Sequence, residues 1–109
     1  MIRTFAVAAL ALAVFATPAF AQSRADTRFN ALLAEHEQIE RRFDPISSGE
    51  EGDNAALARF PDFSPASVEA RRAALADFRT RLAATNERQL SEANQLNRAL
   101  LLQTIDDDL

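Results

Sequence analysis

One stretch constrains the fold of this chain more than any other: residues 60–82, FPDFSPASVEARRAALADFRTRL. Ser64 is a residue type that caps helix N-termini, and Pro65 suits a first helical turn. An alanine-rich run follows, and alanine is the strongest helix former. Large apolar residues recur in this run at intervals of seven: Val68, Leu75 and Leu82. The stretch therefore predicts a long amphipathic helix from Pro65 to about Thr85.

A first mature helix is predicted before this stretch, over 22–43, where apolar residues recur every three or four positions. Ser23 or Asp26 can cap it, and Pro45 ends it because the residue before a proline avoids helical dihedrals. Residues 44–64 are rich in glycine, proline, serine and acids, which predicts a loop with one further helical turn within 54–59.

A third, shorter helix is predicted from Glu92 to about Ile105, with Ser91 as its cap. Its three consecutive leucines, 100–102, cannot all face one partner, because each helical residue turns by about 100°. The fold class predicted for the mature chain is therefore all-α: two long helices and a third shorter one, as a helical hairpin or an incomplete bundle. Such helices carry more apolar surface than they can cover among themselves.

The N-terminus has the features of a secretory signal peptide, which we assign to residues 1–21. Arg3 makes it positive, and Phe5–Ala16 is a run of twelve apolar residues, shorter than the ~20 of a membrane-spanning helix. Small residues at its end suit signal peptidase, so we expect cleavage between Ala21 and Gln22. An uncleaved membrane anchor is the alternative. With cleavage, the mature chain is periplasmic or secreted and has no stable membrane anchor.

The charge balance excludes several kinds of partner. All 12 basic residues are arginines, against 16 Asp and Glu, and only one arginine lies in the predicted signal peptide. Nucleic acids and anionic membrane surfaces both reward clustered positive charge, so we expect neither as a partner. The sequence contains no cysteine, which excludes disulfides and thiolate chemistry.

His36-Glu37 superficially resembles the start of the His-Glu-x-x-His zinc helix. The fifth position is Glu40, and the chain has a single histidine, whereas a zinc site needs several ligands. We therefore predict a partly buried helix residue at His36. No catalytic, cofactor-binding or metal-binding residue is assigned to this chain.

Three charged clusters have a functional and a structural interpretation. The acids of the loop (Asp44, Glu50, Glu51 and Asp53) lack the spacing of a calcium loop, which favours a solvated turn. The acids at 106–108 favour a frayed helix end over a calcium site. The arginines of the long helix (Arg71, Arg72, Arg79 and Arg81) favour a solvated face.

Short motifs follow one another in a characteristic order: Arg42-Phe43-Asp44-Pro45-Ile46-Ser47-Ser48, Glu51-Gly52-Asp53, Phe60-Pro61-Asp62-Phe63-Ser64-Pro65, Arg81-Leu82 and Leu90-Ser91. Over about residues 28–109 this order resembles the N-terminal part of the bacterial family called domain of unknown function 885 (DUF885). The resemblance implies a large, mostly helical, often exported protein, similar to zinc metallopeptidases with a His-Glu motif on a core helix. That motif lies far downstream in the family and has no counterpart here, so no catalytic or metal residue is carried over.

We therefore expect the N-terminal fragment of a secreted, uncharacterised, metallopeptidase-like helical protein, truncated in mid-helix and inactive by itself. Any zinc would belong to full-length family members, and no cofactor is expected in this chain. The expected partners are the missing C-terminal part of the domain or a second copy of the chain. The alternatives are a stand-alone periplasmic binding or adaptor protein and a small metal-buffering protein.

Overall fold

The structure is a computed structural model that describes residues 18–109, with side chains from Arg24 onward. This part of the chain contains four α-helices and no strand, so the predicted all-α class is confirmed. The helices are α1 Pro18–Phe43, α2 Pro45–Glu50, α3 Pro65–Ala83 and α4 Glu92–Asp108. Two short 3-10 helices, Ala56–Ala58 and Glu87–Gln89, lie in the connections. Most of the predicted signal peptide lies outside the described residues.

The predicted starts of the second and third long helices are confirmed. The Ser64 hydroxyl accepts a hydrogen bond from the backbone N–H of Ser67 at 3.2 Å, and a proline occupies the first turn of α3. The Ser91 hydroxyl accepts from the backbone N–H of Asn94 at 3.3 Å. Each serine thus satisfies one of the N–H groups that the first helical turn leaves without a partner.

The loop predicted over 44–64 is wrong in its first part, because α2 occupies Pro45–Glu50. The Asp44 carboxylate starts this helix by accepting from the Ser47 backbone N–H at 3.1 Å and from the Ser47 hydroxyl at 2.8 Å. A capping residue followed by proline therefore begins α2, just as it begins α3. The helical turn predicted further along is confirmed at Ala56–Ala58.

The described part of the first helix extends back to Pro18, four residues before the predicted start, so the predicted cleavage point falls inside α1. The prediction that Asp26 caps this helix is wrong, because Asp26 lies well inside it. Its carboxylate instead accepts from the Ser91 backbone N–H at 3.0 Å, the Ser91 hydroxyl at 3.2 Å and the Asn94 side-chain amide at 2.9 Å. Asp26 therefore fixes the start of α4 against α1.

The three long helices run up, down and up. α3 is antiparallel to α1, because Arg81 near its end pairs with Glu35 and Arg71 near its start pairs with Glu40. α4 returns antiparallel to α3, because its last turn meets Arg71 through Asp108 at 3.1 Å. α4 is therefore parallel to α1, in agreement with the contact between α1 and the start of α4.

In the described part of the chain, one apolar core lies among the three long helices. Its fully buried side chains are Phe29, Leu75, Phe78, Leu82, Leu90 and Ile105. Partly buried side chains surround them: Ala25, Leu32, Leu33, Ile39, Leu101 and Leu102. The seven-residue interval predicted on α3 reaches the core at Leu75 and Leu82 but not at Val68, which is 47% exposed and borders an open groove.

The arginines of α3 lie on a partly exposed face, as predicted, but most of them also form ion pairs between helices. Arg71, Arg79 and Arg81 each pair with a carboxylate on another helix, and only Arg72 has no ion pair within the described residues. The last acids of the chain are likewise helical, since α4 continues to Asp108. Carboxylates at a helix C-terminus oppose the helix dipole, and the α3 arginines offset that repulsion at two of the three.

Candidate functional site

An apolar groove of about 490 Å³ lies at the end of the bundle where α1 stops and α3 starts. Its apolar wall consists of Phe43, Ile46, Pro61, Phe63 and Val68. Phe63 is 79% exposed and Ile46 is 51% exposed. Covering apolar area contributes roughly 25 cal/mol per Å², so a segment that filled this apolar groove would be held by the hydrophobic effect.

Charged side chains rim the apolar groove. Arg71 is committed to Glu40 at 3.4 Å and to Asp108 at 3.1 Å. Asp62 accepts from the backbone N–H of Ser64 at 2.9 Å, which holds the pKa of Asp62 below its usual range. Arg72 is exposed and has no ion pair in the described part of the chain. The rim therefore presents one uncommitted cation.

Phe60 is the large apolar side chain with the greatest exposure among the described residues, at 96%. It lies just before the extended segment that leads to α3, and Leu57 before it is 62% exposed. Neither side chain contributes to the core. Leu57 lies against Gly49 of α2, whereas the apolar character of Phe60 is not explained by the packing of this chain on itself.

A second uncovered surface lies on α4. Leu96 and Leu100, one helical turn apart, are 60% and 54% exposed. Leu101 and Leu102 turn toward the core, and Ile105 is fully buried. The prediction that the three consecutive leucines do not share one face is confirmed, and one of them remains open to an additional neighbour.

A polar cleft of about 610 Å³ lies between the last turns of α1 and the turn that follows α2. Its wall consists of His36, Glu37, Glu40, Arg41, Ser48, Glu51, Gly52, Asp53 and Asn54. Gly52 has φ 109°, a left-handed conformation that favours glycine. That turn brings Asp53 to 3.3 Å from the Arg41 guanidinium.

The zinc and calcium candidates of the sequence are not assembled into metal sites. His36 is partly buried, as predicted; its Nε2 lies 3.8 Å from Glu40 and its ring 5.5 Å from Phe78. Of the loop acids, Asp44 is committed to capping α2 and Asp53 to Arg41. In the part of the chain that the structure describes, no three His, Asp or Glu side chains are grouped so as to hold a metal ion.

Hydrogen bonds and ion pairs lower the pKa values of several carboxylates below their usual range. The Ser47 backbone N–H lowers the pKa of Asp44, and the Arg81 guanidinium lowers that of Glu35. The Ser91 backbone N–H likewise lowers the pKa of Asp26. These carboxylates are therefore held in their charged form as structural acceptors, which is the opposite of the raised pKa that a general acid needs.

Sequence reasoning missed the polar contact between α1 and α4. Asp26 and Asn94 are 68 positions apart, and the Asn94 side chain also approaches Asn30 at 3.4 Å. Neither residue belongs to a local motif that signals this contact. The polar cleft was missed for the same reason, since its two walls come from separate elements.

The fold is that of a small helical bundle with a polar cleft and uncovered apolar surfaces. Comparison with protein-family models, with curated proteins and with solved structures gives no match. Among the described residues, no helix has both the length and the apolar character to span a membrane.

Proposed function

We propose that this chain is the N-terminal helical segment of a larger, exported, metallopeptidase-like protein of the DUF885 type. In this proposal the segment is a docking module and has no peptidase activity by itself. The observation that carries the proposal is the uncovered apolar surface at two places: the apolar groove, with Phe63 at 79% exposure, and α4, with Leu96 at 60%. The ordered motifs of residues 42–91 supply the family assignment.

Exposed apolar side chains at adjacent helical turns are typical of surfaces that another polypeptide covers. Leu96 and Leu100 offer a seam to one further helix, and the apolar groove offers a pocket to a connecting segment. Additional helices of the same protein would cover both surfaces, as the family resemblance implies. The small apolar core of this segment would then be continuous with the core of the rest of the domain.

The residues of this chain do not fit a catalytic zinc ion. His36 is its only histidine, and its nearest carboxylate, Glu40, is already paired with Arg71. Metal chemistry in the proposed full-length protein would therefore belong to downstream residues, and no step of it is assigned to this segment.

Reading the genomic DNA beyond the codon for Leu109 tests this proposal. We expect a continuation, in the same frame or shifted, that encodes several hundred further residues with a His-Glu helix. Unrelated sequence in every frame would contradict it.

A stand-alone periplasmic adaptor is the competing function, and the outward leucines of α4 favour it specifically, because Leu96 and Leu100 could pair with the same residues of a second copy. This function predicts a discrete oligomer with a cooperative thermal transition for the purified chain. A monomer with low helicity would exclude it and would leave the first proposal standing.

A further inference from the structure

Ser48 is a buried polar residue whose side chain has no partner. It is 7% exposed, and the small part that remains accessible lies on the wall of the polar cleft. Its backbone N–H donates to the Asp44 carbonyl at 3.2 Å, and its carbonyl accepts from the Asp53 N–H at 2.9 Å. Within the described residues its hydroxyl makes no hydrogen bond. The hydroxyl oxygen is not among the fully enclosed polar atoms, so it is available to a ligand in the polar cleft.

His36 is a second polar side chain of the polar cleft without a hydrogen bond in the described part of the chain. Its imidazole is 18% exposed, and its Nε2 lies 3.8 Å from the Glu40 carboxylate, beyond hydrogen-bonding distance. A neutral imidazole offers one acceptor nitrogen. The polar cleft therefore contains two uncommitted acceptors, one from α1 and one from α2.

The charges that line the polar cleft are mostly negative. Four carboxylates (Glu37, Glu40, Glu51 and Asp53) and a single guanidinium, Arg41, form its wall. Arg41 is paired with Asp53 at 3.3 Å, and Glu37 and Glu51 have no ion pair among the described residues. A ligand that fits this wall carries positive charge.

The geometry favours an organic cation over a metal ion. No three potential ligand side chains of the described residues are close enough to share one metal ion. The acceptors are instead spread around a space of about 610 Å³, which suits several directional N–H donors on an extended molecule. We propose that the polar cleft binds a primary alkylammonium group, with Ser48 and His36 accepting its N–H bonds and Glu37 and Glu51 balancing its charge.

This binding site is independent of the proposed docking of helices, since it uses neither the apolar groove nor the leucines of α4. The same chemistry could come from a free polyamine or from a lysine side chain of another protein. Isothermal titration calorimetry of the purified chain with spermidine tests the first source, and titration with a blocked lysine tripeptide tests the second. Saturable binding of either probe is the expected result.

Fully N-methylated spermidine is the control for charge alone, because it carries the same number of charges on the same chain without N–H donors. We expect it to bind at least about tenfold more weakly than spermidine, since a hydrogen bond to a charged group contributes about that factor. Equal binding of the two cations, or tighter binding of Ca²⁺ or Zn²⁺, would overturn the assignment.

Two substitutions test the named residues. Ser48→Ala removes a hydroxyl that has no partner in the fold, and Glu37→Gln removes an exposed carboxylate without an ion pair. Each should weaken spermidine binding by about tenfold and leave the far-UV circular dichroism unchanged. Glu92→Gln, at the opposite end of the bundle, is the matched control and should change the affinity less than about twofold. Equal losses in all three variants, or no saturable binding by the parent chain, would refute the proposal.

Discussion

A matched pair of phenylalanine substitutions distinguishes side chains that stabilise the core from exposed side chains that are available to a partner. Phe78 is fully buried in the core, whereas Phe60 is 96% exposed. Truncation of each to alanine removes the same atoms in two opposite environments. Any difference in the free energy of unfolding therefore reports the environment and not the chemistry of the change.

The expected magnitudes differ widely. Phe78 packs with Leu75 and Leu82 in the core cluster, and truncation of a buried phenylalanine costs about 3–5 kcal/mol. A domain the size of residues 18–109 has a total stability of roughly 5–14 kcal/mol. Phe78→Ala should therefore remove a large share of the stability. Phe60→Ala should change it by less than about 0.5 kcal/mol, as surface substitutions usually do.

Urea unfolding followed by far-UV circular dichroism, at a low protein concentration, measures both values. A loss above about 1 kcal/mol in Phe60→Ala would refute the reasoning, because it would mean that this side chain is packed within the chain. A near-neutral effect of Phe78→Ala would refute the assigned core.

Two further predictions concern polar contacts, and a third concerns the conformation of a turn. Ser47 holds the pKa of Asp44 below its usual range, so the stability contributed by this carboxylate is complete above an unfolded pKa of about 3.9 and is lost as pH falls through the lower folded value. The urea midpoints of the parent chain and Asp44→Asn should therefore differ at neutral pH and converge in strong acid. Arg81 pairs with Glu35 across the helices, and both side chains are more than 40% exposed, so Arg81→Ala should cost only about 0.5–1 kcal/mol at low salt and less at high salt in the same assay. Gly52→Ala should lower the thermal midpoint through a backbone cost of about 1–2 kcal/mol, because φ is 109° there although the space around it is open.

Local signals were sufficient where a cap and a helix lie side by side in the sequence. Ser64 before Pro65, and Ser91 before Glu92, give the starts of α3 and α4 without reference to the rest of the chain. The same logic applies to Asp44 before Pro45, but Gly49 and the acids around it gave that segment the composition of a loop. Gly49 nevertheless lies in α2, where a Cβ would come within 2.2 Å of the Leu57 side chain and would force that exposed side chain to move.

The long-range contacts could not be predicted from periodicity. Asp26 is a residue type that caps helices, and its position predicts a cap for α1. Only the packing of α4 against α1 shows that it accepts hydrogen bonds from the start of α4 instead. The sequence likewise predicts the exposed face of the α3 arginines, but not their ion pairs with Glu35, Asp106 and Asp108. A helical pattern gives the face on which a side chain lies, but it does not identify the neighbour of that face.

The sequence predicts that uncovered apolar surfaces exist, but it does not predict which residues form them. The surplus of apolar residues indicated that part of the chain awaits a partner, and the uncovered positions include Phe63 of the apolar groove and Leu96 of α4. The sequence has no signal for the polar cleft beyond His36 and its neighbouring acids. Ser48 lines the cleft from α2, a segment whose composition predicts a loop.

Sedimentation velocity over a wide range of concentrations is the most direct test of the claim that these helices lack their natural cover. We expect the purified chain to associate as its concentration rises. A variant with polar side chains at the uncovered positions (Phe60→Ser, Phe63→Ser, Leu96→Gln and Leu100→Gln) should stay monomeric with the same helical content. A parent chain that remains a sharply melting monomer at every concentration, indistinguishable from the variant, would contradict the account.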